Sequence, residues 1–142
     1  MIGREAVYQA LFDRLSSIAG FVTISRKLKH WADVDASSQP ALYQAQVRET
    51  PENVVNGLAQ KWTLDVDLYV YVHTSGDESP SIQLNQLVDA IEQRLQPDNA
   101  LQRTQTLGGL VQWVRISGTI ETSEGTLGDQ AVAIIPIQMF TT

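Results

Sequence analysis

Residues 62 to 73 alternate without a break. Trp62, Leu64, Val66, Leu68, Val70 and Val72 form one series, and Thr63, Asp65, Asp67, Tyr69, Tyr71 and His73 form the other. Successive side chains of a strand point to opposite faces, whereas a helical period would scatter both series around an axis. The segment therefore reads as a long strand with one face buried. Twelve residues at about 3.3 Å each span roughly 40 Å, against five or six residues for an ordinary strand. A strand of this length is expected to reach beyond its own domain.

A chain of 142 residues has room for one domain, spanning 1–142, with a core of its own. Hydrophobic residues make up 43% and charged residues 18%, which excludes a disordered chain and leaves an unusually low charge for a solvated monomer. Ten Lys and Arg against sixteen Asp and Glu give a net charge of −6, which argues against a dedicated nucleic-acid binder. There is no cysteine, so disulfides, thiolate zinc sites and cysteine nucleophiles are excluded. The two histidines, His30 and His73, are too few for a multi-histidine metal site without a second copy. No apolar run approaches the roughly 18 residues of a membrane span, and Met1 to Gly20 lacks the apolar core of a signal peptide. The chain is expected to stay where it is made, or to join something assembled there, with no membrane contact.

Around the long strand the other elements fall into place. Ala6, Val7, Ala10, Leu11, Leu15 and Ile18 recur at helical spacing from Gly3 to Ser17, with Gly20 as a stop and with Tyr8 and Phe12 off the stripe. Phe21 to Arg26 reads as a short strand, residues 26–39 as a loop, and Ala41 to Arg48 as a second strand, broken at Thr50-Pro51-Glu52-Asn53. Ser79 and Pro80 open a second helix with Leu84, Leu87, Val88, Ile91 and Leu95 on one stripe. Leu110 to Thr122 reads as one strand, Ser123-Glu124-Gly125 as a turn, and Gln130 to Phe140 as the last strand. Pro136 within that last strand implies an edge position or a bulge. The expected fold is α+β, in the order α-β-β-β-α-β-β: a mainly antiparallel sheet with two helices packed on one face.

Motifs of catalysis are missing. The sequence has no Gly-x-Gly-x-x-Gly, no P-loop, no Gly-x-Ser-x-Gly and no His-Glu-x-x-His. Leu107-Gly108-Gly109 precedes a strand, whereas a phosphate cradle needs its glycines before a helix, so turn geometry is the better reading. Asp65 and Asp67 share a strand face roughly 7 Å apart, within the range for inverting glycosidases, but catalytic carboxylates normally flank a cleft from different elements. A polar strand face explains them more simply. His73 ends the same face without a third ligand for a metal. No catalytic residue, metal or cofactor is assigned.

What remains points to contacts with other proteins. Arg26, Lys27, Lys29 and His30, followed by Trp31, form the one basic cluster, suited to an acidic surface or simply to solvent. Tyr69 and Tyr71 face away from the core series, Tyr8 and Phe12 lie off the first helix's stripe, and Trp113 alternates with Val114. Aromatic residues on a second face mark either an interface or a core that buries both faces of the sheet. With so little charge, self-association is the expectation.

Several phrases carry a family resemblance: Gln39-Pro40-Ala41-Leu42, the run from Trp62 to Val72, Leu87-Val88-Asp89-Ala90-Ile91, Gln105 to Val111, Gly118-Thr119-Ile120-Glu121 and Gly128-Asp129-Gln130-Ala131. In their order and spacing the chain resembles the tail terminator proteins of long-tailed bacteriophages, across essentially its whole length. The resemblance implies a structural virion protein that acts as a hexameric ring on the head-proximal end of the tail tube, monomeric in some cases before docking. It implies a stop to tube elongation and a joining surface, with tail tube protein and head-completion protein as partners, and DNA only in transit through the lumen. Assembly would take place in the host cytoplasm. A neck or head-closure subunit shares much of the pattern. Three stretches are candidate contacts: Arg26 to Gln39, Thr50 to Lys61, and Asp98 to Thr106. The interaction residues expected from both lines are Arg26, Lys27, Lys29, Trp31, Tyr8, Phe12, Asp65, Asp67, Tyr69, Tyr71 and Trp113.

Overall fold

The computed structural model describes residues 3–52 and 56–142, with the backbone alone at 126 and 127. Two helices, α1 (Arg4–Ser16) and α2 (Pro80–Arg94), lie with a six-stranded sheet. The strands are β1 (Thr23–Ser25), β2 (Ala41–Pro51), β3 (Trp62–His73), β4 (Val111–Ile116), β5 (Glu121–Leu127) and β6 (Gln130–Thr141). The sheet runs β1-β2-β3-β6-β4, and β5 also pairs with β6. Only β1 and β2 are parallel. The α+β class and the expected succession are observed, with the span between α2 and β6 divided into two strands.

The long strand does not project beyond the sheet. β3 is paired along one edge with β2, from Ala41↔Tyr71 to Pro51↔Trp62, and along the other with β6, from Thr63↔Phe140 to His73↔Gln130. Its length is used up inside the sheet. Leu64, Val66, Leu68, Val70 and Val72 are buried against the helices, beside Ala131, Ala133, Ile135, Ile137 and Met139 of β6. Leu84, Leu87 and Ile91 of α2 close this layer, as their spacing predicts.

The first helix buries Val7, Leu11, Leu15 and Ile18 of the expected stripe, with Ala10 packed against them, and adds Tyr8 to that face. Ala6 is exposed and Tyr8 is 1% exposed, packed with Val7, Leu11 and Leu15. The burial of Tyr8 follows from a polar handle. The Tyr8 hydroxyl donates to Glu49 Oε2 on β2 (2.7 Å), and Arg4 Nε donates to Glu49 Oε1 (2.6 Å). A buried tyrosine needs such a partner, and the carboxylate of Glu49 supplies it. Two arginines lock the helix ends together. Arg14 donates to the Arg94 carbonyl and Arg94 to the Ser17 carbonyl, each cation at the carbonyl end of a helix where the dipole favours it.

Pro136 lies in neither an edge strand nor a bulge, because β6 has neighbours on both sides. The missing N–H falls at a gap. The Pro136 carbonyl accepts from Ser117 N–H where β4 ends, and β5 resumes pairing only at Glu121↔Ile134. Gly118 makes the break, with φ of 115° and a position where a Cβ would lie 3.2 Å from Pro136 Cγ. So the single expected strand Leu110 to Thr122 is two, and Ser123-Glu124-Gly125 lies inside β5 instead of forming a turn. The break expected at Thr50-Pro51-Glu52-Asn53 comes later, since β2 continues to Pro51; Asn53 lies outside the described residues.

Two outcomes follow. Leu68→Ala opens a cavity in the buried layer and should cost roughly 2–5 kcal/mol in denaturant unfolding. A loss under about 1 kcal/mol would mean that Leu68 does not face the helices. Gly118→Ala forces a side chain into a left-handed backbone against Pro136 and should cost more than about 1 kcal/mol; an unchanged unfolding midpoint would contradict the packing described.

Candidate interaction surface

The face of the sheet away from the helices divides into three regions. At one end, Tyr43, Tyr71, Ala41 and Val132 form a second buried cluster with Val34. The loop after β1 covers it, with Trp31–Asp33 as a short 3-10 turn. The Tyr43 and Tyr71 rings stand 5.5 Å apart, and the Tyr71 hydroxyl donates to the Lys29 carbonyl at 2.7 Å, pinning the loop to the sheet. Burial first, then the neighbouring Tyr69 and Tyr43, pushes the Tyr71 phenol up to about 12. Beside the cluster an open groove of about 390 Å³ is lined by Leu28, Trp31, Tyr69, Tyr71, Val132 and Ile134, with Lys29 and His30 at its rim.

The middle of the face is polar. Arg48 stands opposite Asp65 only because β2 bulges at Val47; an unbroken register would place Arg48 on the helix side. Gln138 Nε2 donates to Asp65 Oδ1 at 3.2 Å. Partial burial raises the Asp67 carboxyl above the usual range, Arg48 opposes this, and Asp65 and Glu121 add to it. Among the described residues no group of three or more His, Asp or Glu is placed to hold a metal ion.

The far end is aromatic again. Trp113 stacks on Phe140 with centroids 5.7 Å apart; the Arg115 guanidinium lies 4.0 Å over Trp113, and Lys61 Nζ lies 5.9 Å over Phe140.

Several residues expected to make contacts prove to have other work. Tyr8 and Tyr71 are 1% and 3% exposed and belong to the two clusters inside the chain. They are off the apolar stripes because each hydroxyl reaches a polar partner. Arg26 is not a free cation. Its guanidinium forks onto both carboxylate oxygens of Glu5 (2.7 and 2.9 Å) and reaches Gln9 and Gln46, tying α1 to β2. That hydrogen bonding holds the Glu5 carboxyl below its ordinary value. Lys27, Lys29 and His30 are exposed, Trp31, Tyr69, Trp113 and Phe12 are half-buried, and Asp65 and Asp67 share the polar middle.

Three groove residues were not singled out from the sequence: Leu28, Val132 and Ile134. Alternation through β6 puts the last two in phase with Pro136 and Gln138, a signal obscured by reading Pro136 as a disruption. Gln105 escaped as well. It is 1% exposed, and its amide donates to the Gln96 carbonyl and to Asp98 Oδ1 while accepting from Leu107 N–H. Arg14 completes this network at Asp98 (2.7 Å), so the stretch Asp98 to Thr106 is anchored to both helices. The hydrogen bond from Gln105, then that from Arg14, lowers the Asp98 carboxyl. Gly108 and Gly109 both have positive φ, and Gly109 N–H returns to the Thr106 carbonyl, the turn geometry expected there.

No family profile matches the sequence, and no curated protein does. Among solved structures the fold is similar to a chain of a particle described as the virion of a native gene transfer agent. The TM-score is 0.58 over 95% of this chain and 93% of that one, at 9% sequence identity. The likeness is one of fold.

The raised Asp67 carboxyl has a pH consequence. A carboxyl raised on folding favours the folded state below its unfolded value, and that contribution is lost as pH rises through the folded value. Asp67→Asn should therefore raise the unfolding midpoint at pH 7, with the advantage gone below about pH 4. Equal midpoints at pH 7 would show that Asp67 carries no such strain.

Proposed function

We propose that this chain is a structural subunit of a phage-like particle, and within it the ring that caps the head-proximal end of a tail tube. In this reading the ring halts tube elongation and offers the surface to which the head-completion protein joins. The observation that carries it is the fold likeness to a gene transfer agent virion chain along nearly the whole of both chains. The sequence phrases that resemble tail terminators select the role within the particle.

Physical properties of the chain support this. A ring is built from heterologous contacts that close by rotation, so each copy needs two different surfaces. The outer sheet face and the opposite, helical side are different in kind. The net charge of −6 suits a ring that DNA crosses without being held, because phosphates are repelled. No reaction is required of it. The partners would be further copies, most simply six, the tail tube protein and the head-completion protein, in a virion put together in the host cytoplasm. A neck or head-closure subunit is the second reading, and differs in partner more than in chemistry.

Purified chain added to polymerising tail tube protein should shorten the tubes and stay bound at one end. Light scattering across a wide concentration range should give about six times 15.7 kDa, either free or once bound to tubes. Tubes of unchanged length with no bound chain would remove the terminator role. Binding to filled heads instead would favour the neck subunit.

A further inference from the structure

We propose that the apolar groove beside the Leu28–Trp31 loop is filled by a second copy of this chain, through the knob formed by Ile82 with Asp77 and Glu78. The inference rests on the ring reading and names the contact that would close it.

The groove is mostly apolar, and one cation, Lys29, is among its lining residues. Of the chain's ten Lys and Arg, most are occupied. Arg4, Arg14 and Arg26 are paired with carboxylates, Arg94 with a carbonyl, and Lys61 and Arg115 lie over rings. Lys27, Lys29, Arg48 and Arg103 have no ion-pair partner among the described residues; of these Lys29 lines the groove, and Lys27 precedes it by two residues in the same loop without lining it. Asp33 and Asp35 follow in the same loop beyond Trp31 but do not line the groove. Such a site favours an apolar side chain set among carboxylates.

Among the described residues one exposed segment is of that kind. Ile82, in the first turn of α2, is 58% exposed, and Asp77 and Glu78 just before it are exposed without an ion-pair partner among the described residues. Glu124 is adjacent, accepting from Ser79 at 3.2 Å, and adds a third carboxylate. The other exposed apolar side chains lack this setting. Leu101 stands between Asp98, already paired with Arg14, and the cationic Arg103. Val47 is followed by Arg48, and Leu58 is three residues from Lys61. Val22 leads into the basic loop itself.

Knob and groove are different patches of the chain, so a knob can enter the groove of one neighbour while its own groove receives the knob of another. The contact is head-to-tail, and such contacts give rings when the rotation closes.

The absence of cysteine makes the test clean. His30→Cys protein mixed with Ile82→Cys protein under mild oxidation should give a disulfide-linked dimer at least tenfold more abundant than either gives alone. The change Lys27→Glu with Lys29→Glu should reduce that product at least tenfold, and so should Asp77→Lys with Glu78→Lys. An equimolar mixture of the two charge-reversed proteins restores complementary charge at every contact and should recover it. No preferential cross-link, or cross-linking indifferent to both reversals, overturns the contact. If tube capping persists in that case, the ring reading stands and only this interface falls. Cross-linking without tube capping would uphold the contact and remove the terminator role.

Discussion

The antiparallel ladder between β3 and β6 is the constraint on which the remaining structure depends. It joins residues far apart in the chain, and one register, Thr63↔Phe140 through His73↔Gln130, places both apolar series against the helices. A slip of one residue would turn every buried side chain of one strand outward. The polar and half-polar residues on the other face are thereby fixed as a set. The groove, the aspartate region and the Trp113–Phe140 stack all inherit their positions from this one pairing. β2 is then set against β3, with a bulge at Val47 that changes which side Arg48 serves.

Much of the fold was legible because it rests on periodicity. The alternation of β3 and the stripe of α2 need nothing beyond local spacing and the burial of apolar surface, and both lie where that spacing puts them. What was not legible depends on partners distant in sequence. Tyr8 looks like a surface aromatic until Glu49, 41 residues away, is brought beneath it. Tyr71 sits in the polar series of β3, and only the loop carrying Lys29 buries it. Arg26 reads as one of a basic cluster until Glu5 claims it. In each case a side chain with both an apolar body and a polar tip took a role that pattern alone cannot assign. The division of the span after α2 was hidden for a related reason. Gly118 marks a break only once Pro136 of another strand is packed against it.

The same distinction explains why the candidate surface is only partly readable. Lys29, Trp31 and Tyr69 keep an outward role and gather at one groove, with Lys27 close by in the same loop. Its remaining walls come from β6, whose outward series is plain only when Pro136 is treated as part of the alternation. Charge acts here by what is left over. Six of the ten Lys and Arg of this acidic chain are held by carboxylates, a carbonyl or rings of the chain itself, so a cation left at the groove, Lys29, weighs more than the net charge of −6 would suggest.

The edges of the sheet bear on how copies could meet. An open strand edge invites pairing with another chain, and proteins blunt such edges with short strands, bulges and covering loops. All three devices are present. β1 is only three residues long and pairs with Ala41 to Tyr43. The part of β2 beyond it carries the Val47 bulge, has Arg26 reaching across to Gln46, and ends at Pro51. On the opposite side, β4 is flanked by Gln105, whose carbonyl accepts from Val114 N–H, and by Thr104, whose hydroxyl donates to the Gln112 carbonyl. The Gly118 break then interrupts that edge before β5 begins. Backbone addition across copies is thus disfavoured along the β1–β2 margin and along β4. A side-chain contact of modest area between acidic subunits is weak when made singly and becomes effective once a ring closes, because each copy is then held by two neighbours and the last contact is intramolecular. That would suit the ring proposed for this chain, whose copies would stay dispersed until a docking surface gathers them.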